Sequence, residues 1–261
     1  MPKKVFAIER QQKILKFLSE KNAASVTDLA SYFNVTETTI RRDLLSLDKQ
    51  NKIQRTHGGA INLEQNLIWN YTPLTDRIHI ESDAKHRIAS YIAENLINDH
   101  ESIMIDGGST TLNCAQEISK KFSSLMIITN TERIGALFAG IEQNRVIITG
   151  GEFIGQTQVQ VGNFAERIIR SLRANKTIIS ATGLISDQGI FASNPPEAEI
   201  KRLMIENSNT TILAIDSSKF MVNALSFVED FSKIDILVTD KNAPNEEIKK
   251  IESYNVRVIK V

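Results

Sequence analysis

Apolar residues recur at helical spacing from the start of the chain. Ile8, Ile14, Leu15 and Leu18 share one side of a first helix, and Lys13, Lys16, Glu20 and Lys21 lie largely off it. Asn22, Ala23 and Ala24 end that helix. A second, short helix is predicted from about Thr27 to Phe33, with Leu29, Ala30 and Phe33 as its apolar side and Asn34-Val35 as the turn that follows. Thr36 is placed to cap a third helix that reaches about Gln50. Ile40, Leu44 and Leu47 stand at i, i+4 and i+7 in it and face a core, which leaves Glu37, Thr38, Arg41, Arg42 and Asp48 on other faces. Asn51 suits a left-handed C-terminal residue. After it, Lys52 to Thr56 and His57-Gly58-Gly59 read as two short strands, or as a strand and a hairpin tip. The pattern is three helices and a wing, over residues 1–60.

Residues 61–80 carry no sustained period and read as a linker, with Asn62, Gln65, Asn66, Asn70 and Pro73 along it and Trp69 and Tyr71 as residues that dock it. A helix resumes at Ser82 or Asp83 with Ile88, Ile92 and Leu96 in phase. From there short apolar runs recur at Ser102 to Ile105, Leu125 to Thr129, Val146 to Thr149, Thr177 to Ala181, Thr211 to Ile215, Ile234 to Thr239 and Val256 to Val261. Amphipathic segments separate most of them. This alternation predicts an α/β domain over 81–261, Rossmann-like, with a largely parallel sheet and helices on both faces. Ligands of such sheets bind beyond the carboxyl ends of the strands.

Composition narrows the function classes. The chain has 261 residues, 41% of them hydrophobic, enough for a sizeable core. A single cysteine, Cys114, excludes a disulfide framework within the chain, and no Cys/His cluster offers a metal site, so neither metal nor cofactor is expected. No apolar run approaches the ~18 residues of a membrane span, and the N-terminal residues lack the apolar core of a secretion signal. A reducing cytoplasm fits. The formal charge is zero overall, yet residues 1–60 hold 11 Lys and Arg against 6 Asp and Glu, and the remainder holds 20 against 25. A basic head on an acidic body places any polyanion, such as duplex DNA, at the head alone.

The third helix has the chemistry for that partner. Short polar side chains and arginines at a helix N-terminus suit base edges and phosphates in the major groove. Thr36, Thr38 and Thr39 offer hydroxyls, and Arg41 and Arg42 clamp phosphate or guanine in two-pronged fashion. In the wing, Arg55, His57 and Gly58 are candidates for phosphate or the minor groove. The competing structural role for one of the arginines is an ion pair with Asp43 or Asp48. In the body, Asp106-Gly107-Gly108-Ser109-Thr110-Thr111 follows the first strand and opens a helix. Two glycines, three hydroxyls and unpaired N-H groups favour a phosphate there. The loop is neither G-x-x-x-x-G-K-[ST] nor G-x-G-x-x-G, and the hydroxyls can equally serve only to cap the helix.

The run Thr38 to Leu44 (T-T-I-R-R-D-L), the run Ile53 to Ala60 (I-Q-R-T-H-G-G-A), and Arg10, Ile14 and Leu18 resemble the N-terminal signature of the DeoR/GlpR family of transcriptional regulators. Asn51 stands where the family pattern has Gly. The glycine-rich and polar strand ends, with Glu197-Ala198-Glu199-Ile200-Lys201, resemble the same family's C-terminal domain, which is similar in fold to ribose-5-phosphate isomerase, glucosamine-6-phosphate deaminase and CoA-transferase subunits. The resemblance implies a homo-oligomeric repressor, a dimer or tetramer, whose operator binding is controlled by a phosphorylated sugar. It implies that Asp106, Gly107, Gly108, Ser109, Thr110 and Thr111 hold the phosphate and part of the sugar, above a floor of Thr129, Asn130, Gly150 and Gly151. Lys219 is implied as counter-charge and Glu197 as acceptor for hydroxyls. Two alternatives stay open: a sugar-phosphate isomerase or deaminase using Asp106 and Glu197 as acid and base with Lys219 at the oxyanion, and a body that only oligomerises.

Overall fold

The computed structural model describes residues 7–21, 23–50, 52–55, 58–62, 73–141 and 143–261. The chain divides into two compact units, Met1–Ile68 and Trp69–Val261. Among the described residues no helix is long and apolar enough to cross a membrane.

The first unit is built from α1 (Ala7–Lys21), β1 (Ala23–Ser25), α2 (Val26–Phe33), α3 (Glu37–Lys49), β2 (Ile53–Arg55) and β3 (Gly59–Asn62). Ile14 and Leu18 of α1, Leu29 of α2, and Ile40, Leu44 and Leu47 of α3 close into one core with Ile53 and Ala60. That is the set the helical spacing selects. Ser25 caps α2 by accepting from the Asp28 N-H, and Asn34 ends it in the left-handed conformation at φ 51°. The three strands form an antiparallel sheet in the order β1-β3-β2. Strand β1 lies where the sequence predicts only the end of a helix. Three residues are too few for an alternation to register, and the strand exists because β3 pairs with it, Ala24 opposite Ala60 and Ser25 opposite Gly59. A Cβ on Gly59 would stand 2.1 Å from the Ala24 carbonyl oxygen, so this glycine serves the sheet itself.

The second unit begins with α4 (Leu74–His79) and α5 (Ser82–Asn95), then β4 (Ser102–Ile105), α6 (Ser109–Lys121), β5 (Met126–Thr129), α7 (Glu132–Ala139) and β6 (Arg145–Ile148). It continues with β7 (Glu152–Ile154), β8 (Val159–Val161), α8 (Asn163–Arg170), β9 (Ala174–Ile179), β10 (Gly183–Ile185), β11 (Gly189–Ala192) and α9 (Pro195–Glu206). The remaining elements are β12 (Ser208–Ala214), β13 (Ser226–Glu229), β14 (Ile236–Thr239), α10 (Asn245–Glu252) and β15 (Arg257–Lys260). A secondary element thus stands at each end of the stretch 61–80: β3 runs to Asn62, and α4 occupies 74–79. Helix α4 has only Leu74 and Ile78 as an apolar pair, too little to establish a period.

Seven strands pair in parallel in the order β15-β14-β12-β9-β4-β5-β6, and they are the seven apolar runs of the sequence. Side chains alternate between two cores. Ile103, Ile105, Ile127, Ile178, Ile212 and Val238 meet α5, α6 and α7, whereas Met104, Ile128, Ile179, Leu213 and Leu237 face α8, α9 and α10. The sheet is therefore covered on both faces. From β4 the chain builds outward through β5 and β6, returns to place β9 on the other side of β4, and then builds the opposite way. The strand order reverses between β4 and β9, and in open sheets of this kind ligands bind in the crevice beyond the carboxyl ends at such a point.

Candidate functional site

In the first unit, Thr36 caps α3 by accepting from the Thr39 N-H at 3.3 Å, and the two hydroxyls pair at 2.9 Å. Thr38, Arg41 and Arg42 are exposed on α3. Arg41 makes an exposed ion pair with Glu37 one turn earlier, at 3.3 Å, and Glu37 also accepts from the Thr27 hydroxyl. The next residue along, Asp43, is buried. Its carboxylate takes the Arg10 guanidinium of α1 and the Gln11 amide at 3.2 Å. The run Arg41-Arg42-Asp43 thus splits into two outward cations and one inward clasp, because Asp43 stands three residues after Ile40 and shares its face. Gly58 is exposed, and its carbonyl accepts the Val26 N-H at 2.8 Å. The backbone of Arg55 closes β2. Its side chain, His57, Asn51, Trp69 and Tyr71 lie outside the described residues.

In the second unit, Asp106 follows β4 at the reversal of strand order, its N-H bonded to the Ile178 carbonyl of β9 at 3.1 Å. The loop after it opens α6 with Gly108 as N-cap and no side-chain cap. Ser109, Thr110 and Thr111 are therefore first-turn residues and not the cap; all three are buried, and Thr111 gives its hydroxyl to the Gly108 carbonyl at 3.1 Å. Their backbone N-H groups sit at the positive end of a 13-residue helix. Asn130, after β5, takes the Gly107 N-H at 2.9 Å and donates to the Gln160 carbonyl at 3.2 Å. Its own carbonyl receives the Gln160 N-H at 2.7 Å. Asn130 thereby pins the loop to the segment carrying β8. Thr129 is fully buried and its hydroxyl accepts the Thr131 N-H at 3.3 Å. Gly150 and Gly151, at φ +66° and +116°, turn the chain from β6 to β7 where a side chain would be strained.

A narrow crevice, too tight to admit a water molecule, is bordered by Leu74 of α4, Gly107, Gly108, Thr131 and Thr157. The Thr157 hydroxyl is buried and has no hydrogen-bond partner among the described residues. Helix α4 is fastened here: the Leu74 N-H bonds the Gln156 carbonyl in the turn between β7 and β8 at 3.0 Å.

Charged groups gather along the same edge. The Lys201 ammonium of α9 is hydrogen-bonded to the Asp106 carboxylate, and both are buried. Burial pushes the Asp106 carboxyl up, and Lys201 opposes that push. Glu197, one turn before Lys201, takes part in the capped start of α9, its N-H bonded to Asn194 Oδ1 at 2.9 Å, and its Oε1 is buried without a partner among the described residues. Burial draws the Arg77 guanidinium of α4 below its ordinary value, against the charges of Glu197 and Asp106. Beyond the end of β12, Asp216 caps a short 3-10 turn that carries Lys219.

Lys85 of α5, 2% exposed, gives its ammonium to the carbonyls of Arg77 and Ile80. Burial draws it down to about 8, with Asp216 opposing and Lys219 and Arg77 adding to the shift. The folded chain releases this proton near pH 8, whereas the unfolded chain keeps it to the ordinary 10.5. Between those values the unfolded state binds more protons, so Lys85 makes stability rise with pH across that window. Lys85→Met is expected to flatten the rise, read as urea midpoints across the window.

The structure thus brings Asp106, the loop, Thr129, Asn130, Glu197 and Lys219 to one sheet edge. Sequence reasoning missed Lys201, Arg77 and Lys85 there. Lys201 was signalled by its spacing of four from Glu197, which puts both on one side of α9. Arg77 and Lys85 left no comparable signal.

The geometry meets independent similarity. A family model described as the DeoR C terminal sensor domain matches residues 80–241, and one described as a DeoR-like helix-turn-helix domain matches residues 10–66. The chain is 32% identical over 256 residues to an uncharacterized HTH-type transcriptional regulator, YulB, of Bacillus subtilis, covering 97% of this chain and 96% of that one. It is 30% identical over 257 residues to the L-fucose operon activator of Haemophilus influenzae, covering 96% and 98%. The same identity holds over 250 residues with the glycerol-3-phosphate regulon repressor of Escherichia coli, covering 96% and 97%. Among solved structures, ribose 5-phosphate isomerase A of Methanocaldococcus jannaschii aligns with a TM-score of 0.39 and 13% identity, over 54% of this chain and 55% of that one. With both domain models matched in order and relatives aligned nearly end to end, the chain belongs to the DeoR family of DNA-binding transcriptional regulators.

Proposed function

We propose that this chain represses a sugar-metabolism operon, binding its operator through α3 and the wing, under the control of a phosphorylated sugar or related metabolite held at the carboxyl edge of the parallel sheet. The observation that carries the effector half is the start of α6: a long helix with no side-chain cap, opening at the reversal of strand order. First-turn N-H groups there favour a phosphate. The buried Thr157 hydroxyl, without a partner among the described residues, supports a polar group nearby. Relatives named for glycerol-3-phosphate and L-fucose support the ligand class. The Asp106 carboxylate, engaged by Lys201, is committed to an ion pair, which favours sensing over acid-base catalysis. Control requires that the effector favour one state of a homo-oligomer over another, and the working compartment is the cytoplasm.

The test is a thermal-shift panel of hexose, pentose and triose phosphates beside the unphosphorylated parents, followed by binding to duplex DNA selected by the protein from a random pool. The expected result is a raised melting temperature with a phosphorylated member and a changed DNA affinity in its presence. A ligand that shifts melting but leaves DNA affinity unchanged refutes the regulatory reading, and turnover of a panel member refutes the sensor in favour of an enzyme.

A further inference from the structure

We propose that Arg77 takes the negative group of the effector, so that helix α4 is itself part of the ligand site. The inference rests on the reading of this sheet edge as a sensor of phosphorylated metabolites, and it adds which residue supplies the charge.

The Arg77 Nε and Nη2 atoms are buried and have no hydrogen-bond partner among the described residues. These two nitrogens share one edge of the guanidinium fork, the edge that meets two oxygens of a phosphate or carboxylate at once. Leaving such donors buried without an acceptor is costly, and structural arginines avoid it. Holding α4 in place does not use them. The helix is fastened through backbone atoms, the Leu74 N-H on Gln156 and the Arg77 and Ile80 carbonyls on Lys85.

The surroundings complete the ligand chemistry. Arg77 follows Leu74 by one turn of α4, and Leu74 borders the same narrow crevice as Gly107 and Gly108 of the phosphate loop. Glu197 is the carboxylate whose charge acts most on Arg77, yet its Oε1 is also buried and without a partner among the described residues. The Asn194 amide nitrogen, at the cap of the same helix, is a fourth such atom among the described residues. A guanidinium edge asks for an anion, and a carboxylate oxygen asks for a hydroxyl. A phosphorylated polyol supplies both on one small molecule. Helix α4 is the first described helix after residues 63–72.

The experiment uses the full chain with Arg77→Met and Arg77→Lys, and the same panel of hexose, pentose and triose phosphates, read by melting and by titration calorimetry. Without ligand, both variants are expected to melt no lower than the parent chain, because the unpaired donors are relieved or remain as they were. The phosphorylated member that binds the parent is expected to bind Arg77→Met at least about tenfold more weakly, with Arg77→Lys between the two, since a point charge replaces the fork. Unchanged affinity in Arg77→Met overturns the assignment while leaving the sensor reading intact. Lower melting in both variants without ligand also overturns it, by showing Arg77 to be structural; if only Arg77→Met fails to fold, Arg77→Lys decides by its affinity. Binding of no phosphorylated member by the parent chain overturns both the assignment and the reading beneath it.

Discussion

Lys201→Met is expected to destabilise the second unit by about 3–5 kcal/mol, the cost of leaving one partner of a buried ion pair without the other. Asp106 and Lys201 are both almost fully buried, and Asp106 lies at the centre of the sheet edge, where water cannot take the place of the ammonium. The loss has a pH signature. Without Lys201, burial, with the charge of Glu197 beside it, raises the Asp106 carboxyl further in the folded state, so the protonated acid is the tolerated form. A carboxyl raised on folding favours the native state below its unfolded value and loses that contribution as pH rises through the folded value. The defect is therefore smallest in acid and grows as pH rises through the folded value. Asp106→Asn combined with Lys201→Met removes both charges and is expected to recover most of the stability, measured as urea midpoints of the four proteins of the cycle. A double variant no better than Lys201→Met would refute the ion-pair account.

Arg41→Ala and Arg42→Ala are expected to leave melting unchanged and to weaken binding to the selected operator, by about 1–3 kcal/mol where the lost contact is to a base edge. Both side chains are exposed, and the Arg41 pair with Glu37 is of the surface kind worth a few tenths of a kcal/mol at most. An arginine that meets phosphate instead weakens all sequences alike and lowers the salt slope by about one. Arg10→Ala supplies the contrast: it leaves Asp43 buried without its guanidinium, so melting falls while the outward arginines stay in place. Lower melting in Arg41→Ala or Arg42→Ala would show that the paired arginines are structural.

What the sequence discloses follows from how each element is buried. All seven strands of the parallel sheet were legible, because strands covered on both faces read as continuous apolar runs. The short antiparallel strands β7, β8, β10, β11 and β13 were not. Glu152-Phe153-Ile154 of β7, for example, is mostly exposed and pairs only with β8, so no hydrophobic pattern marks it. Helix α3 was legible to its cap because Thr36, Ile40, Leu44 and Leu47 each obey a local rule. The partner of Asp43 was not, since it lies 33 residues away on another helix. In the second unit the glycines and hydroxyls after β4 announced the loop through local chemistry. Lys201 reaches Asp106 across 95 residues, so only the folded chain reveals that pairing, and Arg77 lies on a helix of six residues, too short to mark it.

Asn130 bears on the thermodynamics of recognition. Its side chain grips the Gly107 N-H on one side and the Gln160 carbonyl on the other, so three separated stretches of backbone are held in register by one amide. A loop already fixed in this way gives up little conformational freedom when a ligand arrives. Under the proposed reading of this edge as a sensor, more of the energy gained at the helix start then remains as affinity, and a small metabolite with few atoms to offer is still retained.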